Sequence, residues 1–217
     1  MKIVDVKQGS AEWVQARIGL PTASCFDQIV TPAKGERSKS MNKYLARLFA
    51  EWYLNAPMDD ANSGFMERGT ALESQAAGWY GLMHDVEVHK VGLCLRDDGK
   101  AGASPDGLVG ENGLVEIKCL GAQAHAEALI AGGSQNDYRV QVQGQLYITG
   151  RDWCDRLYFH PSMPQVEVRF ERDEAFIRLI DEGVNELIAR LDELRARWGG
   201  ERDKYRARLD EAADHVF

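Results

Sequence analysis

Apolar positions along the chain change period twice. Up to residue 83 they recur at three and four, which predicts helices. Residues 11–18 form a short amphipathic stretch with Trp13 and Ile18 as its apolar positions, and Met41 to Leu54 carries Tyr44, Leu45, Leu48, Phe49 and Trp52. Met66 to Met83 continues with Leu72, Ala76 and Trp79 or Tyr80 on one side. The period then shortens. Val86, Val88 and the run through Leu93 and Leu95 predict a strand closed by the turn Asp97-Asp98-Gly99, and Ala101 to Ser104 a short strand before Pro105. Leu108-Val109 and Leu114 to Lys118 flank Gly110-Glu111-Asn112-Gly113, a hairpin signal that places the turn at Asn112-Gly113. A helix is expected at Ala122 to Ala131, then strands at Trp153 to His160 and Val166 to Phe170. From Arg172 to Trp198, the positions Phe176, Ile180, Val184, Leu187, Leu191, Leu194 and Trp198 make one apolar stripe. That is a C-terminal amphipathic helix covering a sheet, with a solvated charged face. Thr31 to Ser40 has no apolar face and reads as a mobile loop, or as a basic loop that meets a polyanion. Gly199 to Phe217 is charged and is expected to fray. Helices, a block of strands, then helices describe an α/β (α+β) fold in a single domain over 1–217.

Composition narrows the class. The chain has 217 residues, of which 44% are hydrophobic and 28% charged, enough for a core and for one domain. No apolar run approaches the roughly 20 residues that span a bilayer. The opening Met1 to Lys7 has no apolar signal core, so a cytoplasmic location is expected. Cys25, Cys94, Cys119 and Cys154 lie far apart with no CxxC pair, which reads as free buried thiols and not as a zinc knuckle. Lys and Arg number 26 against 34 Asp and Glu, a net charge of −8. This excludes a generally basic coat but leaves room for a local basic groove.

The chemistry concentrates at the centre. Ala103-Ser104-Pro105-Asp106-Gly107-Leu108 is followed, ten residues after the aspartate, by Glu116-Ile117-Lys118. Strand alternation puts Glu116 and Lys118 on one face and Val115 and Ile117 on the other. The hairpin brings Asp106 beside them. Two acids and a lysine on a hairpin are often a surface ion pair. Here the aspartate sits in a Pro-Asp-Gly turn and the rest on an apolar strand. Hard carboxylate oxygens hold Mg²⁺ or Mn²⁺, and such a metal neutralises a phosphate and acidifies a bound water. A neighbouring lysine positions that water, or accepts its proton if its own pKa is depressed.

Pro-Asp-Gly-Leu followed by Glu-Ile-Lys-Cys resembles the motif of the PD-(D/E)xK nucleases. Gln8-Gly9-Ser10-Ala11-Glu12-Trp13, Arg17-Ile18-Gly19 and Thr22-Ala23-Ser24 resemble the opening of the phage lambda-type alkaline exonucleases, the YqaJ viral recombinase family. Gly69-Thr70-Ala71-Leu72-Glu73 resembles that family's acidic helix, and Gln141-Val142-Gln143 with Tyr147 its glutamine helix. The likeness runs over about residues 8 to 170 in the family's order. It implies a restriction-endonuclease-like core with a mixed central β-sheet flanked by helices. It also implies a 5′-to-3′ exonuclease that degrades one strand of linear double-stranded DNA, in a homotrimeric ring with a single-strand annealing protein as partner and no membrane.

By motif position the resemblance makes Asp106 and Glu116 metal ligands, with the Ile117 carbonyl beside them and Glu73 at a second Mg²⁺ (or Mn²⁺) or its water. Lys118 would orient or activate the nucleophile, and Gln141 would contact that water or the phosphate. Arg17, Ser24 and Ser104 fall where the family binds the 5′-terminal phosphate, and Met66 where it places an apolar wedge. Each residue keeps an ordinary reading: Glu73 a solvated acid, Arg17 an ion pair, Met66 core. Gln141 and Gln143 compete for the site face, while Gln141 and Gln145 share a helix face. No histidine spacing suggests a ligand set, although His125 follows Lys118 closely enough to approach DNA. The chain departs from the family after Lys118-Cys119, where Leu120-Gly121-Ala122-Gln123 replaces proline and polar or basic residues. A restriction- or repair-type endonuclease and a non-catalytic DNA-binding protein are the competing functions. The second is disfavoured because Glu73, Asp106, Glu116 and Lys118 are all present.

Overall fold

A computed structural model describes residues 1–58, 63–134 and 138–214, with the side chains of 63–71 and 210–214 outside the description. Helix α1 (Ala11–Arg17) begins where the Ser10 hydroxyl accepts from the Trp13 amide at 3.3 Å. Helix α2 spans Met41–Leu54 and stops at Asn55, which turns left-handed at φ 54°. Helix α3 spans Ser63–His84. Its first half includes Met66, whose side chain lies outside the described residues.

The stretch from Val88 to Leu95 is two strands, β2 (Val88–His89) and β3 (Leu93–Leu95), in different sheets. The carbonyls between them are taken by side chains of the N-terminal segment. Gln8 donates to Val91 O at 2.9 Å and Trp13 to Gly92 O at 3.2 Å. The pattern missed β1 (Lys2–Val4), which pairs with β3, and β3 pairs in turn with β4 (Gly102–Ala103).

The second sheet has five strands in the order β2-β5-β6-β7-β8, with β5 Gly107–Val109, β6 Gly113–Cys119, β7 Trp153–Phe159 and β8 Val166–Glu171. Only β6 and β7 run parallel, so the sheet is mixed as expected. Their crossover contains α4 (Ala122–Ala131) and α5 (Arg139–Thr149). The β5–β6 turn falls earlier than Asn112-Gly113. Val109 pairs with Gly113, so Gly110, Glu111 and Asn112 form a three-residue loop. Gly110 takes the left-handed conformation at φ 53°, and Arg151 clamps the loop by donating to Gly110 O at 2.9 Å and Gly113 O at 2.7 Å.

The sheet is covered on both faces. Val115 and Ile117 pack with Ala76, Ala77 and Tyr80 of α3. Leu114, on the opposite face, packs with Val142 and Leu146 of α5. A third core joins α2, the three-stranded sheet and the 3₁₀ turn Ala23–Gln28 to helix α6 (Glu174–Asp214). Helix α5 comes so near that turn that a Cβ on Gly144 would lie 2.7 Å from the Phe26 ring, so only glycine fits.

Two flexible segments expected from composition are tied down. The tail after Gly199 continues α6 to Asp214 without a break. Arg202 holds it to α2, donating to Tyr53 O at 3.2 Å and lying 4.5 Å over the Trp52 ring. In the 31–40 loop, Arg37 donates to Glu186 at 2.8 Å and Gly35 is buried against Leu179. That arginine is therefore engaged with α6 and not presented to a polyanion. All four cysteines are free; Cys94 and Cys154 are buried, Cys25 and Cys119 partly so. Among the described residues no helix is long and apolar enough to cross a membrane.

Candidate active site

The site is built on the α5 face of β6. Glu116 is buried at 3% exposure, and both of its oxygens are engaged. Oε1 accepts from Lys118 Nζ at 2.8 Å and from Gln141 Nε2 at 2.6 Å. Oε2 accepts from Gln145 Nε2 at 2.6 Å. Lys118 Nζ also reaches Gln141 Oε1 at 3.4 Å. Helical spacing explains the pair of amides, because residues four apart on α5 share the face that meets the strand. Asp106 enters from the start of β5, where its Oδ2 accepts from the Ile117 amide at 2.6 Å. The hairpin register that sets Gly107 against Val115 produces this contact.

The electrostatics are unbalanced. Burial pushes the Asp106 carboxyl well above the usual carboxylate range, and Glu116 and Glu73 push it further; the Ile117 amide and Lys118 oppose this. Glu73, on α3, is also raised, first by burial and then by Glu116, against the pull of Lys90 and Lys118. For Lys118, burial lowers the pKa, but the charge and hydrogen bond of Glu116, with Asp106, outweigh it and the net shift is upward. The lysine is thus held as an ammonium in this arrangement, suited to orienting a group. Three carboxylates feel one another's charge, with Lys118 among them and Lys90 acting on Glu73.

The residues fit a hard cation. Among the described residues no three His, Cys, Asp or Glu side chains converge on one metal position. Asp106, held by the Ile117 amide, and Glu116 remain as two acid donors. Mg²⁺ ordinarily takes one or two carboxylates and keeps several waters, and a cation would relieve the repulsion that raises Asp106.

A second polar group lies on α1 and the 3₁₀ turn. Arg17 donates to Thr22 Oγ1 at 3.2 Å and to Ser24 Oγ at 3.4 Å, and lies 4.0 Å over the Trp13 ring. Trp13 Nε1 in turn donates to Ser104 Oγ at 2.9 Å. Arg17 and Ser104 therefore meet at Trp13, with Ser24 held to Arg17, and Ser104 lies two residues before Asp106. Arg17 makes no ion pair among the described residues, and burial draws its pKa down. An arginine held by hydroxyls and a ring face, without a carboxylate, has donors left for an anion.

Other assignments separate here. Gln143 faces away from the acids: its amide donates to Glu171 O at 2.8 Å and its oxygen accepts from the Asp173 amide at 2.9 Å. His125 is fully buried, with Nε2 2.8 Å from Pro164 O, which removes it from any DNA-facing surface. Gln145 and Tyr138, the latter with its ring 4.7 Å from Lys118 Nζ, join the cluster without having been singled out. The signal for Gln145 was present in its four-residue spacing from Gln141. None existed for Tyr138, which reaches Lys118 only through the fold.

Residues 12–152 match the model of the YqaJ-like viral recombinase domain. The chain belongs to the YqaJ-like viral recombinase family. Every candidate from Arg17 to Gln141 lies inside the matched span, while α6 lies beyond it. Among solved structures the chain resembles LHK-Exo, an alkaline exonuclease from Laribacter hongkongensis. Its complex with dAMP is 33% identical with a TM-score of 0.77, over 89% of this chain and 99% of that one. A second structure of it is 32% identical with a TM-score of 0.74, over 94% and 100%. A phage-related exonuclease from Haemophilus somnus 129PT shares the fold at 16% identity and a TM-score of 0.63, over 82% and 96%. A search of curated proteins found no match.

Proposed function

We propose that the chain is a Mg²⁺-dependent 5′-to-3′ exonuclease that digests one strand of linear double-stranded DNA from a 5′-phosphorylated end and leaves 3′ single strands for recombination by annealing. The observation that carries this reading is the placement of Arg17, which has no acid partner among the described residues, beside the segment that delivers Asp106 to Glu116 and Lys118. An end-binding pocket and a hydrolytic centre are then fixed relative to each other by one short segment, Ser104-Pro105-Asp106. Membership of the family and the likeness to an alkaline exonuclease support the same conclusion.

Asp106 and Glu116, with the Ile117 carbonyl, would hold the metal, and Glu73 a second ion or its water. Mg²⁺ bound there supplies charge neutralisation of the phosphate and a more acidic water. Gln141 and Gln145 hold the Glu116 carboxylate in place, and Gln141 also keeps an oxygen toward Lys118. Lys118 directs its ammonium protons at the attacking water or the scissile phosphate and stabilises the charge that develops there. Arg17 grips the terminal phosphate as a planar fork, Ser24 and Ser104 add hydroxyls, and the next phosphodiester then lies at a set distance from the acids. Met66 is the proposed wedge at the end base pair. A homotrimeric ring lined locally with basic residues would reconcile a net charge of −8 with threading along DNA. A single-strand annealing protein is the proposed partner and the cytoplasm the proposed location.

The test is digestion of linear DNA bearing 5′-phosphate or 5′-hydroxyl ends, and of covalently closed circles, with Mg²⁺ or with chelator. Consumption of linear DNA alone, fastest from 5′-phosphate and absent in chelator, is expected. Nicking of closed circles would favour the endonuclease reading, and full activity in chelator would end the metal reading.

A further inference from the structure

Tyr138 stands at the start of α5, directly against the reacting cluster. Three non-glycine residues among those described have positive φ, and two of them are Asn55 and Asp85, types that tolerate it. The third is Tyr138 at φ 59°, a bulky residue in a conformation it disfavours, and one that caps the helix with no side-chain hydrogen bond. Residues held this way persist where the surroundings dictate the conformation, often at a functional site.

The surroundings show what is gained. The left-handed turn lays the ring 4.7 Å from Lys118 Nζ, while the residue stays 44% exposed. Arg156 also lies against the ring, with its guanidinium carbon 5.4 Å from the ring centre. Arg156 is fully buried and pairs in register with Glu116 across β6 and β7. Its guanidinium also lies over Tyr158 at 4.6 Å and Phe170 at 5.1 Å, and it donates to Ser134 O. The ring therefore touches both a buried, anchored arginine and the ammonium.

We propose that Tyr138 is a positioning residue whose ring face, itself anchored against Arg156, holds the Lys118 ammonium in place beside Glu116. The assignment deepens the nuclease reading and rests on it for the role of Lys118. A four-carbon stem can swing through many rotamers. Glu116 and Gln141 fix the ammonium from one side, and the ring supplies a soft wall on another without removing a proton donor from the site. The contact uses the π face, so the phenol hydroxyl is not needed.

Tyr138→Gly is the informative variant, because glycine accepts a positive φ and removes the ring without backbone strain. Tyr138→Phe keeps the ring and drops the hydroxyl. In full-length protein freed of metal by chelator, the Lys118 ε-methylene protons are assigned by comparison with Lys118→Ala. They are expected upfield in wild type and Tyr138→Phe, and at the ordinary lysine position in Tyr138→Gly. In Mg²⁺ on 5′-phosphorylated linear DNA, Tyr138→Gly is expected to lose about tenfold in kcat with KM near wild type, and Tyr138→Phe to match wild type. The proposal is overturned if the Lys118 resonance does not move in Tyr138→Gly. It is also overturned if the loss falls on KM, as for a ring that stacks on a base, or if Tyr138→Phe loses as much as Tyr138→Gly. If wild type itself cleaves no DNA, the nuclease reading fails, and the resonance comparison alone still decides whether the ring places the ammonium.

Discussion

Strands β6 and β7 bury acids on both of their faces, to different ends. On the α3 face, Asp155 is 3% exposed and stands in register beside Val115. Arg169 meets it as a fork, with Nε and Nη2 each 2.7 Å from one of its oxygens, and the Tyr80 hydroxyl donates at 2.6 Å. One negative charge faces one positive charge, and the phenol completes the hydrogen bonding. On the α5 face, Glu116 is as deeply buried, but Asp106 and Glu73 crowd its charge, and Lys118 inside the cluster and Lys90 beside Glu73 oppose them only in part. Burial is common to both clusters and so does not distinguish them. The crowding of like charge among the described residues does, and a cation bound there would relieve it.

The largest expected effects come from breaking the crowded cluster. Asp106→Ala and Glu116→Ala should each abolish cleavage while the protein stays folded. Lys118→Ala should lower kcat by about 10²–10⁴-fold. Mg²⁺ at about 100 times its dissociation constant should stabilise wild type by about 2.7 kcal/mol in thermal unfolding, and the alanine variants at Asp106 and Glu116 much less. Ca²⁺ should support DNA binding with little cleavage, because its looser coordination positions water poorly. Near-normal turnover in either acid variant would place the chemistry elsewhere.

The matched cluster should respond in the opposite manner. Asp155→Ala leaves the phenol and the guanidinium without their acceptor and is expected to cost about 2–4 kcal/mol, moderated because half of the Arg169 side chain meets water. Urea unfolding measures the loss, and turnover per folded molecule should remain at the wild-type level. A fall in turnover without a fall in stability would show that the two faces are not separate.

How much of this contrast was legible in advance follows the range of the interactions. Helix α2 was readable to the residue because its stripe and its ends are local. Asp106, Glu116 and Lys118 were readable because one hairpin and one strand alternation bring them together. The split between β2 and β3 was hidden, since it depends on Gln8 and Trp13 arriving from more than 75 residues away, separations of 83 and 79. Asp155 and Arg169 carry no sequence signal, because a matched ion pair across β7 and β8 looks like two ordinary strand charges until the register is known. The continuous α6 was misjudged at Gly199-Gly200, where tertiary contacts of Arg202 with α2 overrode weak helix propensity.

A smaller effect tests the same contrast among cations. Arg17, which has no ion pair among the described residues, should carry a preference for 5′-phosphate over 5′-hydroxyl ends, and Arg17→Ala should remove it, a change of about tenfold in the rate ratio. Arg37, paired with Glu186, serves as the matched control, and Arg37→Ala should leave the ratio unchanged. An equal ratio in wild type and Arg17→Ala would move the end-binding pocket elsewhere.

The smallest expected effect is that of a stabilising substitution. In chelator, burial and the neighbouring acids hold the folded-state pKa of Asp106 above its unfolded value of about 3.9. An acid whose pKa rises on folding contributes no penalty below the unfolded value, where it is protonated in both states. The penalty grows as pH climbs through the interval between the two values and is constant above the folded one. Asp106→Asn keeps an oxygen to accept from the Ile117 amide and removes the charge. Its melting temperature in chelator should therefore exceed that of wild type by at most a few degrees at neutral pH, and the difference should vanish as pH falls below about 4. Asp155→Asn, which removes a charge from the matched cluster, should melt lower than wild type at neutral pH. If both variants shift in the same direction, charge imbalance is not what sets the two faces apart.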